Sequence, residues 1–197
     1  MRYNFIEIGT SDFDTLLQKS SDTAIGLSVE PLNYYLDRLP NKPGVTKVNA
    51  ALSNSDDYLE IYNVPVSAIE KYNLPYWVRG CNSLSKPHQY TMDTIGAELY
   101  NQIVQIDRVP TITWKTLISQ YNVESVEFIK IDTEGHEYII LKDYFEICEN
   151  NPLLYADKIM FEYNQNSDMP ALDRLFSSST ITFKDTINYT KSFEVRF

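Results

Sequence analysis

The chain has 197 residues, 43% of them hydrophobic and 22% charged, which fits a single globular domain spanning 1–197. Its formal net charge is −10 at pH 7. A nucleic-acid-binding protein needs a basic surface that displaces counterions from phosphates, so this charge argues against nucleic acid as a partner. A small molecule that is neutral or cationic, or a glycan, is the expected partner.

The sequence also argues against a membrane protein and a secreted one. No apolar run reaches the length of a membrane span. The first residues lack the pattern of a signal peptide, which predicts a cytoplasmic location. Cys81 and Cys148 are the two cysteines of the chain, and their spacing offers no metal site. Oligomeric state is not indicated.

Predicted strands and helices alternate along most of the chain. The strands are predicted at 4–9, 23–31, 45–53, 57–64, 103–110, 126–132 and 158–164, and the helices at 12–20, 32–39, 113–121, 136–150 and 169–178. Residues 180–189 and 191–197 predict a closing hairpin. This order indicates an α/β fold with a mostly parallel sheet, helices on both faces and an antiparallel hairpin at one edge.

The segment from about 65 to 102 is predicted as a long loop insertion, because it is rich in aromatic residues, Gly, Pro and Ser. It combines flat aromatic side chains with hydrogen-bonding ones, which suits a sugar ring. The candidate substrate-binding residues here are Tyr76, Trp77, Arg79, Asn82 and Ser83, together with His88. A purely structural role for the loop is the alternative. We expect the loop to cover an acceptor site.

In a sheet of this kind, ligands bind beyond the carboxyl ends of the strands. Candidate site residues therefore follow the predicted strands. They are Glu7, Gly9, Thr10 and Ser11 after the first, Glu30 and Pro31 after the second, Asn49, Ala50 and Ala51 in the third, and Asp132, Glu134 and Glu162 after two later ones.

Glu30 lies 21 residues after Gly9. In nucleotide-binding α/β folds an acid at about this distance accepts hydrogen bonds from the ribose hydroxyls. The alternative is an exposed acid at a helix N-terminus. The stretch "GTSDFD" contains one glycine, whereas a dinucleotide fingerprint needs G-x-G-x-x-G. This argues against NAD and is compatible with S-adenosylmethionine.

The chain resembles the FkbM-like methyltransferases in four stretches, "FIEIGTSDFDT", "LSVEPLNYYLDRL", "VNAALSNSDDYLEIY" and "VPTITWKTLISQYNVESVEFIKIDTEGHEYIILKD". The resemblance implies a Rossmann-like methyltransferase fold and S-adenosylmethionine as cofactor. The chain departs from the family at Phe13, where a second glycine is usual, and at Ser11, where Asn is frequent.

The family's pattern also implies roles for matching residues. Glu7, Gly9 and Ser11 would line the methionine half of the cofactor, and Glu30 would hold the ribose. Asn49, Ala50 and Ala51 would flank the adenine. Asp132 would lie beside the methyl donor, and Glu162 would end the following strand.

The stretch "DTEGHE" supplies further candidates for catalysis. Asp132, Glu134, His136 and the more distant His88 are the candidate bases for removing a proton from the acceptor. His136 is expected to be a partly exposed residue of the first helical turn. A divalent metal held by this cluster is possible but not favoured, because side chains so close in sequence rarely converge without a remote ligand.

The sequence therefore predicts an S-adenosylmethionine-dependent O-methyltransferase that acts on a hydroxyl of a sugar, a glycan or a sugar-bearing metabolite. Two alternatives stay open. One is an NAD-dependent oxidoreductase or epimerase, and the other is a non-catalytic binding domain with the same fold.

Overall fold

A computed structural model describes residues 1–163, 165–177, 182–184 and 193–196. The strands are β1 (Arg2–Ile8), β2 (Gly26–Val29), β3 (Val45–Val48), β4 (Ala51–Leu52), β5 (Tyr58–Asn63), β6 (Ser83–Leu84), β7 (Gln105–Ile112), β8 (Ser125–Ile131), β9 (Lys158–Phe161), β10 (Thr182–Lys184) and β11 (Phe193–Arg196). The helices are α1 (Leu16–Lys19), α2 (Asn33–Leu36), α3 (Val66–Lys71), α4 (Gln89–Ile95), α5 (Ala97–Ile103), α6 (Trp114–Gln120), α7 (Glu137–Asn150) and α8 (Met169–Ser177). Two 3-10 helices span Tyr76–Gly80 and Pro152–Leu154.

The main sheet has the strand order β10-β11-β9-β8-β1-β2-β3. Strands β9, β8, β1, β2 and β3 are parallel, while β11 runs antiparallel to β9 and to β10. The prediction of a mostly parallel sheet with an antiparallel edge is confirmed, although parts of the predicted hairpin lie outside the described residues. In the sheet, β2 and then β3 follow on one side of β1, whereas the later strands β8 and β9 lie on its other side. Strand order therefore reverses at β1, which is where such sheets bind ligands.

Helices cover both faces of this sheet, as predicted, and the alternation of side chains along β1 shows why. Phe5 packs with Leu17 of α1 and Leu36 of α2 on one face. Ile6 and Ile8 belong to the larger core on the other face, which includes residues of α6, α7 and α8. Successive side chains of a strand point to opposite faces, so a strand buried on both faces is apolar almost throughout.

The third predicted strand, 45–53, is in fact two strands. The chain turns after Val48, where the N–H of Ala50 donates to the carbonyl of Val48 (3.1 Å), and β4 leaves the main sheet. β4 joins a second sheet with the order β4-β7-β5-β6, in which β5 is antiparallel to β7 and to β6. Strands β5 and β7 therefore do not extend the parallel sheet that the alternation predicted.

The first two helices are shorter than predicted. α1 begins only at Leu16, because Thr15 accepts a hydrogen bond from the backbone N–H of Gln18 and forms a capping box with it. Ser11 and Asp14 have positive φ values of 47° and 58°, which keep the preceding residues out of the helix. The loop after β1 is thereby longer and reaches the ligand side of the sheet.

Residues 65–102 do not form the predicted loop. They contain α3, α4, α5, a 3-10 helix and β6, and they have their own core around Val64, Ile69, Val78, Tyr100 and Ile103. We call residues 64–104 the insertion. Its helices have six or seven residues, too short to give clear periodicity. No helix in the described part of the chain combines the length and apolarity needed to cross a membrane.

Candidate active site

A cavity of about 260 Å³ lies at the carboxyl ends of β1, β2 and β8. The predicted site residues that line it are Gly9, Thr10, Ser11, Glu30, Pro31, Ala50, Ala51, Trp77, Asn82, Asp132, Glu134 and Glu162. The other predicted ones do not line it, namely Glu7, Asn49, Tyr76, Arg79, Ser83, His88 and His136. The structure thus brings the strand-end residues together at the edge where the sheet order predicts a ligand.

The loop after β1 is shaped by Gly9. Its N–H donates to the carbonyl of Val29 (2.9 Å), and its φ is 75°, in the region that favours glycine. A Cβ at this position would collide with the backbone carbonyl of Asp132. The close approach of β1 and β8 therefore requires glycine. Ser11 follows in the cavity wall, and its Oγ is buried with no hydrogen-bond partner among the described residues.

Glu30 is buried at the end of β2 with its carboxylate held on two sides. Oε2 accepts from the backbone N–H of Ser11 (2.8 Å), and Oε1 accepts from that of Leu32 (3.0 Å). Burial nevertheless raises the pKa of Glu30 to about 7. The exposed-acid alternative is wrong for this residue. A carboxylate has about four acceptor positions, so two hydrogen bonds leave capacity for a ligand.

Asn49 is exposed and supports the neighbouring turn. Its Nδ2 donates to the backbone carbonyls of Glu30 (3.0 Å) and Pro31 (2.9 Å). Asn49 thereby fixes the turn that carries Glu30. The small side chains of Ala50 and Ala51 form the adjacent apolar wall.

Glu7 is fully buried and is paired with a lysine that the sequence analysis missed. Its Oε1 pairs with Nζ of Lys130 (3.2 Å), and its Oε2 accepts from the N–H of Leu16 (2.8 Å). Burial raises the pKa of Glu7. Lys130 lines the cavity and its Nζ lies 3.7 Å from Asp132. Glu7 and Lys130 face each other in adjacent strands, and each interrupts an apolar run, a signal that could have identified the pair.

Three carboxylates form the rim of the cavity beyond β8 and β9. One oxygen each of Asp132, Glu134 and Glu162 lies within 4.8 Å of the others, an arrangement that could hold a cation. We call these three residues the acid cluster. The surrounding protein and the charge of Glu134 raise the pKa of Asp132. Glu162, which is distant from Asp132 and Glu134 in the sequence, completes the acid cluster. His136 is not a member of it.

His136 was expected to be partly exposed, and this is wrong. It is buried, with Nε2 3.0 Å from Oγ of Ser53, and burial lowers its pKa to about 4. The next residue, Glu137, is also buried and accepts hydrogen bonds from the N–H groups of Thr133 and Gly135 (both 3.1 Å). Glu137 thus holds the turn that carries Glu134, while His136 is bonded to the residue after β4, and neither side chain lines the cavity.

His88 is 2% exposed and is the residue that precedes α4. Its Nε2 lies 2.8 Å from Oε2 of Glu134, across 46 positions of sequence. Ser83 reaches the same residue, since its Oγ donates to the carbonyl of Glu134 (2.9 Å). Neither side chain is in the cavity wall, but both connect the insertion to the acid cluster.

Arg79 anchors the insertion instead of facing the cavity. Its guanidinium is paired with Asp12 and lies over the ring of Tyr76 (3.8 Å) and that of Phe13 (4.7 Å). Tyr76 therefore belongs to this anchor too. Of the residues predicted in the insertion to bind substrate, Trp77 and Asn82 are the ones in the cavity wall.

The comparisons with known proteins agree with this geometry. The protein-family model described as the methyltransferase FkbM domain matches residues 7–182. This range includes every residue that lines the cavity. No curated protein and no solved structure matches the chain. Because the matched range covers most of the 197 residues, the chain belongs to the methyltransferase FkbM domain family.

Proposed function

We propose that this methyltransferase uses S-adenosylmethionine and transfers the methyl group to a hydroxyl of a sugar, a glycan or a sugar-bearing metabolite. The observation that carries the proposal is one cavity with Glu30 on one side and the acid cluster on the other. Glu30 follows β2 and Glu162 follows β9, three strands away in the order β9-β8-β1-β2. At about 4.8 Å per strand, this separation is about 14 Å, enough for a cofactor and an acceptor to lie end to end.

The cofactor side fits a nucleoside. Glu30 can accept hydrogen bonds from two adjacent hydroxyls of a ribose, and the apolar surface of Ala50 and Ala51 suits a purine. The buried Oγ of Ser11 lacks a partner among the described residues, which a polar group of a ligand can supply. Gly9 keeps the backbone clear of side chains at this point.

The charges of the cavity suit a cationic methyl donor. When bound, S-adenosylmethionine supplies a methyl group on a positively charged sulfur. The cavity wall contains Lys130, whose charge is offset by Glu7 and Asp132. The acid cluster adds further negative charge at the same rim, so a cation is favoured there.

The acceptor side fits a polyhydroxylated ring. Trp77 offers an aromatic face, on which an apolar face of a sugar can lie, and Asn82 offers an amide. The carboxylates of the acid cluster can accept hydrogen bonds from hydroxyls. One of them can also take the proton that the acceptor oxygen loses as it is methylated. Alignment of the acceptor oxygen is then the main remaining task of the protein.

The experiment that tests this proposal measures binding and turnover separately. Calorimetry with S-adenosylmethionine is expected to show one site per chain, and NAD is expected not to bind. Methyl-tritiated cofactor is then incubated with methyl glycosides of common hexoses and deoxyhexoses, and label in the glycoside is counted. Binding without turnover of any glycoside would overturn the sugar acceptor, and absence of cofactor binding would overturn the whole proposal.

A further inference from the structure

The geometry points to Glu134 as the base that takes the acceptor proton, with His88 as the positioning residue that holds its carboxylate toward the cavity. This inference rests on the proposed function and selects one member of the acid cluster. Its basis is the contact between the two side chains, in which Nε2 of His88 lies 2.8 Å from Oε2 of Glu134.

The orientation of His88 is fixed by its own partners. The backbone N–H of Thr91 donates to Nδ1 (3.2 Å), and the hydroxyl of Thr91 lies 2.8 Å from the same atom. An Nδ1 that accepts a hydrogen bond carries no proton, so the neutral ring carries its proton on Nε2. Nε2 therefore donates to Glu134. The N–H of His88 also donates to the hydroxyl of Tyr100 (3.2 Å), which fixes the backbone.

The contact is enclosed by protein on the side away from the cavity. The side-chain amide of Asn166 lies against both groups, 2.6 Å from Nε2 of His88 and 3.4 Å from Oε2 of Glu134, and with a proton on Nε2 the amide has to turn its oxygen toward His88. His88 is 2% exposed, whereas Glu134 keeps 13% of its side chain exposed in a residue that lines the cavity. The acceptor can thus meet Glu134, while His88 can act only through it.

Glu134 differs from Asp132 in how it is held. Asp132 lies near Lys130, at the side where the cofactor is proposed to bind. Glu134 contacts the insertion, where the acceptor-side residues lie. It also has a φ of 54°, an uncommon conformation for a residue other than glycine. Such conformations persist where the surrounding structure holds them, often at functional sites.

The step balances as a simple proton transfer. The acceptor oxygen forms its bond to the methyl carbon as the bond from that carbon to sulfur breaks. The hydroxyl proton moves to Glu134, and S-adenosylhomocysteine leaves as a neutral sulfide. His88 neither gains nor loses a proton in this step, because its Nε2–H only donates a hydrogen bond to Glu134.

The first test is spectroscopic and needs no acceptor. The chain has two histidines, so nitrogen-15 spectra of the imidazoles contain two ring systems, with His136 as internal reference. We expect His88 in the Nε2–H form with a proton that exchanges slowly with water. Glu134→Ala should accelerate this exchange and leave the His136 signals unchanged. His88 signals insensitive to Glu134→Ala would overturn the positioning contact.

The second test is kinetic, on the glycoside methylated fastest by the wild-type protein. Glu134→Gln should lower kcat roughly a hundredfold or more, with the Kd of the cofactor unchanged. His88→Asn keeps an acceptor near the helix N-terminus but cannot reach Glu134, and should lower kcat roughly tenfold when it is assayed well below its melting temperature. His88→Gln restores a donor at the position of Nε2 and should recover most of the lost turnover.

Two further variants separate positioning from folding. His88→Asn should add no loss in kcat to Glu134→Gln, because a residue that acts through Glu134 has no effect without it. Tyr100→Phe, the matched control, removes another contact of His88 but not the one to Glu134, and should keep wild-type kcat. Additive losses, or equal losses in His88→Gln and His88→Asn, would overturn the inference. If no glycoside is methylated, the acceptor class is wrong, and the spectroscopic test alone decides the contact.

Discussion

The backbone N–H of Ser11 donates a 2.8 Å hydrogen bond to Oε2 of Glu30, which joins the loop after β1 to the carboxylate at the end of β2. The acid that is proposed to hold the ribose and the loop that is proposed to contact the rest of the cofactor are therefore parts of one unit. A substitution of Glu30 is therefore expected to affect the ribose contact and also the position of the loop after β1. The predictions below begin with this unit.

Glu30→Ala should weaken the binding of S-adenosylmethionine about 30-fold. Lost hydrogen bonds to a charged group amount to about 2 kcal/mol, and this value converts to that ratio of Kd. Calorimetry measures the effect directly. Glu60→Ala removes an exposed carboxylate of β5 and serves as the control, with wild-type Kd expected. Equal affinity of wild type and Glu30→Ala would remove Glu30 from the binding site.

The affinity for the cofactor should depend on pH through Glu30. Burial raises the pKa of this carboxyl to about 7, and the ionised form is the better acceptor for two ribose hydroxyls. The Kd should therefore fall as pH rises toward 7 and level off above it, with a slope approaching a factor of ten per pH unit on the acidic side. In Glu30→Gln this dependence should disappear. A wild-type Kd that stays constant from pH 5.5 to 8.5 would contradict the assignment.

Methyl transfer should survive EDTA. Alignment of the acceptor and a carboxylate base are sufficient for transfer to a hydroxyl, so the acid cluster need not hold a metal ion. The measurement is the initial rate before and after chelation, with added magnesium or manganese as the comparison. Complete loss on chelation, followed by recovery with either ion, would contradict this prediction and would point to a metal ion held by Glu134 together with Asp132 and Glu162, or with Cys81 and His88.

Arg79→Ala should destabilise the protein by about 3 kcal/mol in urea unfolding. Its side chain is 8% exposed, and its removal leaves the buried carboxylate of Asp12 without its buried partner. Arg38 pairs with the same carboxylate (2.8 Å) but is 52% exposed, so Arg38→Ala is the matched control, with a loss of about 1 kcal/mol or less. Equal effects of the two variants would show that the buried position of Arg79 is unimportant.

The sequence predicted the parallel sheet and most of the strand-end residues of the cavity, because both depend on local patterns. A long apolar run predicts a strand that is buried on both faces, and the first polar residue after the run marks its end. In β8 that residue is Asp132. Gly9 and Glu30 were found by spacing within one strand-helix-strand unit. These features need no knowledge of remote contacts.

The parts that were missed depend on partners far apart in sequence. His88 was treated as a loop residue, but it is buried, and its Nε2 lies 2.8 Å from Oε2 of Glu134, 46 positions away. Arg79 was assigned to substrate, whereas its true partners, Asp12 and Phe13, lie more than sixty positions earlier in the sequence. A single sequence contains no local signal for such pairs. The short helices of the insertion are likewise stabilised mainly by packing and not by their own propensity.

The insertion begins and ends at neighbouring points, since Asn63 and Gln105 are paired across β5 and β7. A segment whose ends already meet can be exchanged for one of different length without stretching the strands that hold it. On the proposed function, replacing the insertion should change the choice of acceptor and leave the proposed cofactor-binding side in place. Any replacement has to keep the contacts that join the insertion to the rest of the domain, which include an arginine for Asp12, a hydrogen-bond donor for Glu134 and the pairing of β6 with β5.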